Sequence, residues 1–182
     1  MFRKPSQDRG PDQSTNKKLH VTPQIFIKRT RLFAPAETVF AWHTLPGALE
    51  CLTPPWEHVQ ILEDSGSLKN GARVVLLTKM GTFQVKWVAE HRDYLEGRRF
   101  RDVQISGPFA MWIHTHSFEP DGPNASWLED RIEYVLPGGY LGKLLGGRFA
   151  LKKIQRLFDY RHRVTAERIA ALPPTAEPTT AG

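Results

Sequence analysis

The sequence predicts an α+β domain in which seven antiparallel strands precede a long C-terminal helix. Two observations support this prediction. From residue 56 to residue 136, short runs that alternate apolar and polar side chains are separated by glycine-containing turns. From Leu144 to Ala171, apolar residues instead recur at intervals close to 3.6, which is the period of an amphipathic helix. The short connections between the strands favour an antiparallel meander.

The first strand and two short helices come before this sheet region. His20–Phe33 is predicted to be a long strand. Ala34–Trp42 is predicted to be a helix, because Pro35 stands near its start and Glu37 lies in its first turn, where an acid is favourable. A second short helix, Gly47–Cys51, is expected to end before the prolines at positions 54 and 55.

Six further strands are expected after Trp56. Each break between them carries residues that favour turns, such as Asn70-Gly71 and the sequence Ser106-Gly107-Pro108. The predicted strands are Val59–Asp64, Arg73–Lys79, Phe83–Arg92, Arg98–Ser106, Phe109–Glu119 and Ala125–Leu136.

The last helix is expected to stop before Pro173-Pro174. We therefore divide the chain into a disordered basic arm at 1–19, a ligand-binding domain at 20–171 and a disordered tail at 172–182. The two end segments lack periodic apolar patterns, which is typical of disorder.

Composition limits the classes of function. A domain of about 150 residues can bury a core and still hold an internal pocket. The single cysteine, Cys51, cannot form an intramolecular bridge, and the N-terminus lacks an apolar signal segment, so we expect a cytoplasmic protein. No apolar run is long enough to span a membrane. The net charge of +6 comes from the two ends, since residues 20–140 hold twelve basic and fourteen acidic side chains.

The hairpin Phe100–Pro120 contains the most informative side chains. Because strand side chains alternate between faces, Trp112, His114 and His116 share one face. On the preceding strand the same period groups Phe100, Asp102 and Gln104. If the two groups meet across the hairpin, one side of the sheet combines aromatic rings with a carboxylate, an amide and two imidazoles. Such a mixture suits the wall of a cavity, because buried polar groups need partners that a ligand or water can supply.

Three local sequences resemble a known superfamily: Ala34-Pro35-Ala36-Glu37-Thr38-Val39-Phe40, Leu45-Pro46-Gly47, and Gly107-Pro108-Phe109 leading into His114-Thr115-His116-Ser117-Phe118. Together with the order of the elements, they resemble the START-like SRPBCC superfamily, in particular its polyketide cyclase/dehydrase-like branch and the overlapping coenzyme Q-binding START proteins. The resemblance implies a helix-grip fold, in which a curved sheet wraps around the long helix and leaves a hydrophobic cavity between them.

From this combination we expect a non-catalytic protein, without cofactor or metal, that binds a lipid, an isoprenoid or a polyketide-like molecule between sheet and helix. Aromatic side chains would supply apolar surface, and the polar ones would orient the ligand. The candidate ligand-binding residues are Trp56, Phe83, Trp87, Asp102, Gln104, Trp112, His114, His116, Tyr134 and Phe158.

Two alternatives use the same polar residues. In a cyclase or dehydratase, His114 or His116 would act as general base with Asp102 or Asp130 orienting it. A metal site would need a third ligand, for which Asp102, Asp130 and His91 are available, although no standard metal-binding motif is present. A buried carboxylate must be paired, and His114, His116 or an arginine such as Arg148 could pair with it.

The basic face of the last helix allows a third alternative, a regulatory protein that binds an acidic protein or an anionic membrane surface. This face is formed by Lys152, Lys153, Arg156 and Arg163. We expect no nucleic acid partner, because the chain has no helix-turn-helix or zinc-finger spacing and its aromatic residues do not alternate with the arginines.

Overall fold

The computed structural model describes residues 22–173, except for the side chain of Met80. Its elements follow the predicted order. They are β1 (Gln24–Leu32), α1 (Ala36–His43), α2 (Ala48–Cys51), β2 (Val59–Asp64), β3 (Arg73–Met80), β4 (Phe83–Leu95), β5 (Arg99–Ser106), β6 (Met111–Pro120), β7 (Ser126–Val135) and α3 (Gly139–Ala170). The arm at 1–19 and the tail from residue 174 lie outside the described residues, so the domain boundaries remain predictions.

The seven strands form one antiparallel sheet in the order β1-β7-β6-β5-β4-β3-β2. Strands β2 to β7 are neighbours in sequence order, as a meander requires, and β1 pairs with β7. α3 packs mainly against β1 and β7, on the face that we call the inner face. This architecture confirms the predicted helix-grip fold.

The hairpin of β5 and β6 has the register that the alternation predicts. Asp102 lies opposite His114, and Phe100 lies opposite His116, with no register shift from Arg99 to Val103. Paired residues of an antiparallel sheet point to the same face. Both histidines and Asp102 therefore point to the inner face, as the sequence predicted.

Two hydrophobic clusters cover different parts of the inner face. In the first, Phe40 of α1 packs with Phe118 and Leu128 of the sheet. In the second, below α3, Ile154 and Phe158 of the helix pack with Trp112, Ile132 and Tyr134 of the sheet. The polar side chains of β5, β6 and β7 lie between these two clusters.

α3 begins five residues earlier than predicted, at Gly139 instead of Leu144. Glycines disfavour helix interiors, so the sequence predicts a later helix start. In the structure, Gly138 adopts a left-handed conformation (φ 79°) and forms the N-cap. In the first turn, Gly142 approaches the Pro137 carbonyl oxygen so closely that a Cβ atom would collide with it. Glycines therefore start this helix. Within the described residues, no helix is both long and apolar enough to cross a membrane.

Candidate functional site

A network of histidines and aspartates is buried between the two hydrophobic clusters. Two neighbouring rows of paired residues across the sheet produce it. One row joins His91, Asp102 and His114, and the next row joins His116 and Asp130. A histidine of α3, His162, reaches the network from the helix side. We call these six residues the His/Asp network.

Asp130 holds the helix side of the network together. Its carboxylate lies 3.0 Å from His114 Nε2, 2.8 Å from His116 Nδ1 and 2.9 Å from His162 Nε2. The approach of His116 is close but lacks hydrogen-bond geometry. His162 is fixed in turn by Thr30, whose hydroxyl oxygen lies 2.8 Å from Nδ1. This carboxylate therefore links β7, β6 and α3.

Asp102 connects the histidines on the side of the network that lies away from α3. Its Oδ1 lies 2.6 Å from His91 Nδ1, and its Oδ2 lies 3.4 Å from His116 Nε2 and 3.7 Å from His114 Nδ1. Aromatic contacts fix the imidazoles: the ring of His116 stacks on Phe100 with centroids 4.1 Å apart, and the edge of His114 meets Phe158. The histidines consequently have little freedom to rotate.

The burial of these groups separates the pKa values of the two adjacent histidines. Burial and repulsion from His116 lower the pKa of His114 to about 4. Burial also disfavours the charged form of His116, but attraction to Asp130 and hydrogen bonding to Asp102 outweigh it and raise the pKa of His116 to about 9. Although burial opposes ionisation of both carboxyls, contacts with the histidines hold the pKa values of Asp102 and Asp130 well below their usual range.

At neutral pH the network therefore contains two carboxylates and a protonated His116 beside a neutral His114. Imidazole rings of His114 and His116 lie with their centroids only 3.8 Å apart. A proton acceptor thus lies directly beside a proton donor.

Asp102 is the member of the network that solvent reaches best. About 24% of its side-chain surface is accessible, whereas His91, His114, His116, Asp130 and His162 are buried. Next to Asp102, four apolar side chains on the inner face of β2 to β4 are only half buried. Ile61 lies opposite Leu76, which lies opposite Trp87, and Ala89 occupies the next inner position of β4. This half-buried apolar surface adjoins the accessible carboxylate.

Five of the six predicted aromatic residues lie in three different environments. Trp112, Tyr134 and Phe158 belong to the buried cluster below α3. Trp87 packs at the edge of that cluster, with its ring 5.3 Å from that of Trp112, and remains half buried. Phe83 is 74% exposed and lies eight residues from His91 along β4. Phe83 is therefore not brought together with the network.

Trp56 is also separate from the network. Its ring contacts α3, lying 4.1 Å from the guanidinium of Arg156 and 5.3 Å from the ring of Tyr160. It helps to line one of two adjacent surface grooves of about 470 and 480 Å³ beside α3. Neither groove is lined by a residue of the network.

Gln104 is on the predicted face, but its amide is already engaged. Nε2 donates to the Phe109 carbonyl oxygen at 2.8 Å, and Oε1 accepts from the Phe109 amide at 3.4 Å. The side chain therefore fixes the turn between β5 and β6. A role in contacting ligand stays a prediction.

Sequence reasoning missed His162 and Thr30 as members of the site. A signal for His162 was present, because it continues the buried series Ile154, Phe158 at intervals of four residues. Of the partners predicted for a buried aspartate, His114 and His116 are confirmed, whereas Arg148 is wrong. Arg148 is exposed on α3, and imidazoles pair with both carboxylates instead.

Comparisons with known proteins agree with this architecture. A START superfamily protein from Mycobacterium smegmatis matches with a TM-score of 0.56 and 16% identity, over 82% of this chain and 99% of the other. The Zhui aromatase/cyclase from Streptomyces sp. R1128 gives 0.60 and 18%, over 81% and 94%. Norcoclaurine synthase from Thalictrum flavum, in complex with dopamine and hydroxybenzaldehyde, gives 0.62 and 13%, over 96% and 100%. At these identities, the likeness establishes the fold alone.

The sequence itself provides the family. Among curated proteins, no sequence matches this chain. The family described as polyketide cyclase/dehydrase and lipid transport, however, matches residues 32–158, which include both short helices, β2 to β7 and the first 20 of the 32 residues of α3. Because this match spans more than half of the chain, the protein belongs to the polyketide cyclase/dehydrase and lipid transport family, within the START-like SRPBCC superfamily.

Proposed function

We propose that this protein binds a small apolar molecule on the half-buried inner face of β2 to β5, with a hydrogen-bond donor of the ligand directed at Asp102. The observation that supports this most strongly is the position of Asp102. It is the accessible end of an otherwise buried polar network, and apolar side chains lie beside it. A site of this kind combines apolar contact area with one polar group that sets orientation.

The chemistry of Asp102 indicates which ligand group it would accept. An ionised carboxylate can only accept hydrogen bonds. His91 and His116 occupy part of its capacity and leave a position for a further donor. A hydroxyl group on an otherwise apolar ligand meets this requirement, and burying about 200 Å² of apolar surface would contribute about 5 kcal/mol before the entropic cost of association.

A probe pair and a matched pair of variants test the proposal. We expect wild-type protein to bind 2-naphthol at least about tenfold more tightly than 2-methoxynaphthalene, because a hydrogen bond to a charged group contributes about 1.5 kcal/mol or more. Ala89→Trp fills the inner face and should abolish binding of 2-naphthol. Lys86→Trp places the same indole on the outer face of β4 and should leave binding unchanged. Calorimetric titration measures the affinities of the wild-type protein for both probes and of the two variants for 2-naphthol.

Equal affinity for the two probes would remove the role of Asp102. Loss of binding in both tryptophan variants, or in neither, would argue against the inner face as the site. Circular dichroism of each variant separates a filled site from an unfolded protein.

The second candidate is an enzyme, and the separated pKa values of His114 and His116 favour it. Paired groups whose environments push their pKa values in opposite directions suit acid–base chemistry. The structural neighbours also include a norcoclaurine synthase and an aromatase/cyclase. If a bound molecule loses the mass of water during incubation with wild-type protein but not with a variant carrying glutamine at both histidines, the enzyme is supported over the binding protein.

The third candidate function belongs to the basic face of α3. Lys153 lies 3.5 Å from Glu57, and Arg163 pairs with Glu167 at 2.8 Å, so part of this charge is already balanced within the chain. Arg156 stacks over Trp56. Binding of an acidic protein or an anionic membrane through Lys152, Lys153, Arg156 and Arg163 stays a prediction.

A further inference from the structure

We infer that Asp102, His114 and His116 bind one divalent transition-metal ion. Two imidazoles and one carboxylate form a donor set that suits zinc, iron, cobalt or nickel. The sequence alone predicts no metal, because it contains no standard metal-binding motif. The inference adds a metal to the polar end of the site and does not depend on the proposed apolar ligand.

The spacing of the donor atoms supports a mononuclear site. Asp102 Oδ2 lies 3.4 Å from His116 Nε2 and 3.7 Å from His114 Nδ1, and one donor atom from each of the three residues can be chosen so that all lie within 4.8 Å of one another. Ligands about 2.1 Å from a tetrahedral metal ion are separated by about 3.4 Å. Only small side-chain movements are therefore needed to place the three donors around one ion.

The nitrogens that would not bind the metal face a carboxylate. His114 Nε2 and His116 Nδ1 lie 3.0 and 2.8 Å from Asp130. Histidine ligands of metals usually donate their second N–H to such a group, which fixes the ring and the tautomer. A small rotation of His116 would complete its hydrogen bond, since Nδ1 now approaches Asp130 without hydrogen-bond geometry.

Two further histidines, which would not bind the metal, contact the carboxylates. His162 contacts Asp130 at 2.9 Å, and His91 contacts Asp102 Oδ1 at 2.6 Å, on the oxygen that faces away from the other two ligands. Thr30 fixes His162 in turn. Such outer contacts matter because their loss typically weakens metal binding by about 10–100-fold.

Charge and solvent access at the site also favour a metal ion. Both carboxylates, Asp102 and Asp130, lie within 3.7 Å of both imidazoles, and a divalent cation would take the place of the proton between His116 Nε2 and Asp102. Three protein ligands leave at least one coordination position free. Asp102 is partly accessible, so water or an oxygen atom of a bound molecule could reach that position. The site therefore has the composition of a metal centre that remains open to a further ligand.

Cobalt provides the test, because its visible absorption reports both binding and coordination number. We expect the full-length chain, dialysed against a chelator and then against buffer, to bind one Co²⁺ per molecule, and Zn²⁺ to displace it. His116→Gln and His114→Gln should each weaken binding at least about tenfold. His58→Gln, which removes an exposed imidazole away from the network, should have no effect.

Substitutions in a buried network can unfold the protein, so a second measurement uses the wild-type chain. Imidazole nitrogen resonances of His114 and His116 should shift on addition of one equivalent of Zn²⁺, while those of His58 stay unchanged. The inference fails if wild-type protein takes up no stoichiometric Co²⁺, if the shifts fall on other histidines, or if folded His116→Gln binds Co²⁺ as tightly as wild type.

Discussion

Asp130→Ala should lower the free energy of unfolding by about 3–5 kcal/mol, the largest stability effect that we expect from one side chain of the network. The carboxylate is buried and lies within 3.0 Å of His114, His116 and His162. Its removal leaves the positive charge of His116 without its strongest source of attraction. Urea denaturation followed by circular dichroism measures the change.

A carboxylate on the outer face of the same strand provides the control. Glu133 is half buried and pairs with Arg131 at 3.2 Å. Because partly exposed ion pairs contribute little, Glu133→Ala should cost less than about 1 kcal/mol. If Asp130→Ala does not fold, Asp130→Asn keeps the shape and should retain part of the stability. Similar costs for Asp130→Ala and Glu133→Ala would contradict the importance of the network.

The wild-type protein should lose stability as the pH rises from 6.5 to 9, and His116→Gln should not show this loss. The folded pKa of His116 is about 9 and therefore lies above its unfolded value near 6.5. Below pH 6.5 the favourable interactions of the protonated ring are fully present, and they disappear as the pH rises through 9. The free-energy advantage of wild type over His116→Gln should fall by about 3 kcal/mol across this window.

Between pH 4 and 6.5, the free energy of unfolding should change with pH in the opposite direction. Burial lowers the pKa values of His114 and of His43, the last residue of α1, to about 4, so the unfolded chain binds more protons than the folded chain between pH 4 and 6.5. Stability should therefore rise with pH in that range. Unfolding free energies measured at several pH values show both limbs. An alkaline limb that is equally steep in wild type and His116→Gln would rule out His116 as its source, and His58→Gln serves as the matched control.

The sequence predicted the sheet well because its signals are local. Alternating side chains and glycine turns fix each strand, and alternation also placed Asp102, His114 and His116 on one face. Its error at the start of α3 has a physical reason: Gly138 and Gly139 disfavour helix interiors, but Gly138 serves as the cap.

The membership of the network was harder to predict because it depends on distant contacts. His162 reaches Asp130 from a position 32 residues away, and Thr30 reaches His162 across 132 residues. Neither pairing follows from a periodic pattern. Trp56 and Phe83 were grouped with the site because aromatic residues suit pocket walls, although the structure locates them apart from the network.

Mapping a bound probe by nitrogen-edited NMR shows whether a small apolar molecule binds beside Asp102 on the inner face. On titration with 2-naphthol, the indole resonance of Trp87 and the amides of Ala89 and Asp102 should shift together and saturate. The indoles of Trp56 and Trp127 should not respond. Shifts confined to Trp56 and the grooves beside α3, or no saturable shift at all, would rule out binding beside Asp102.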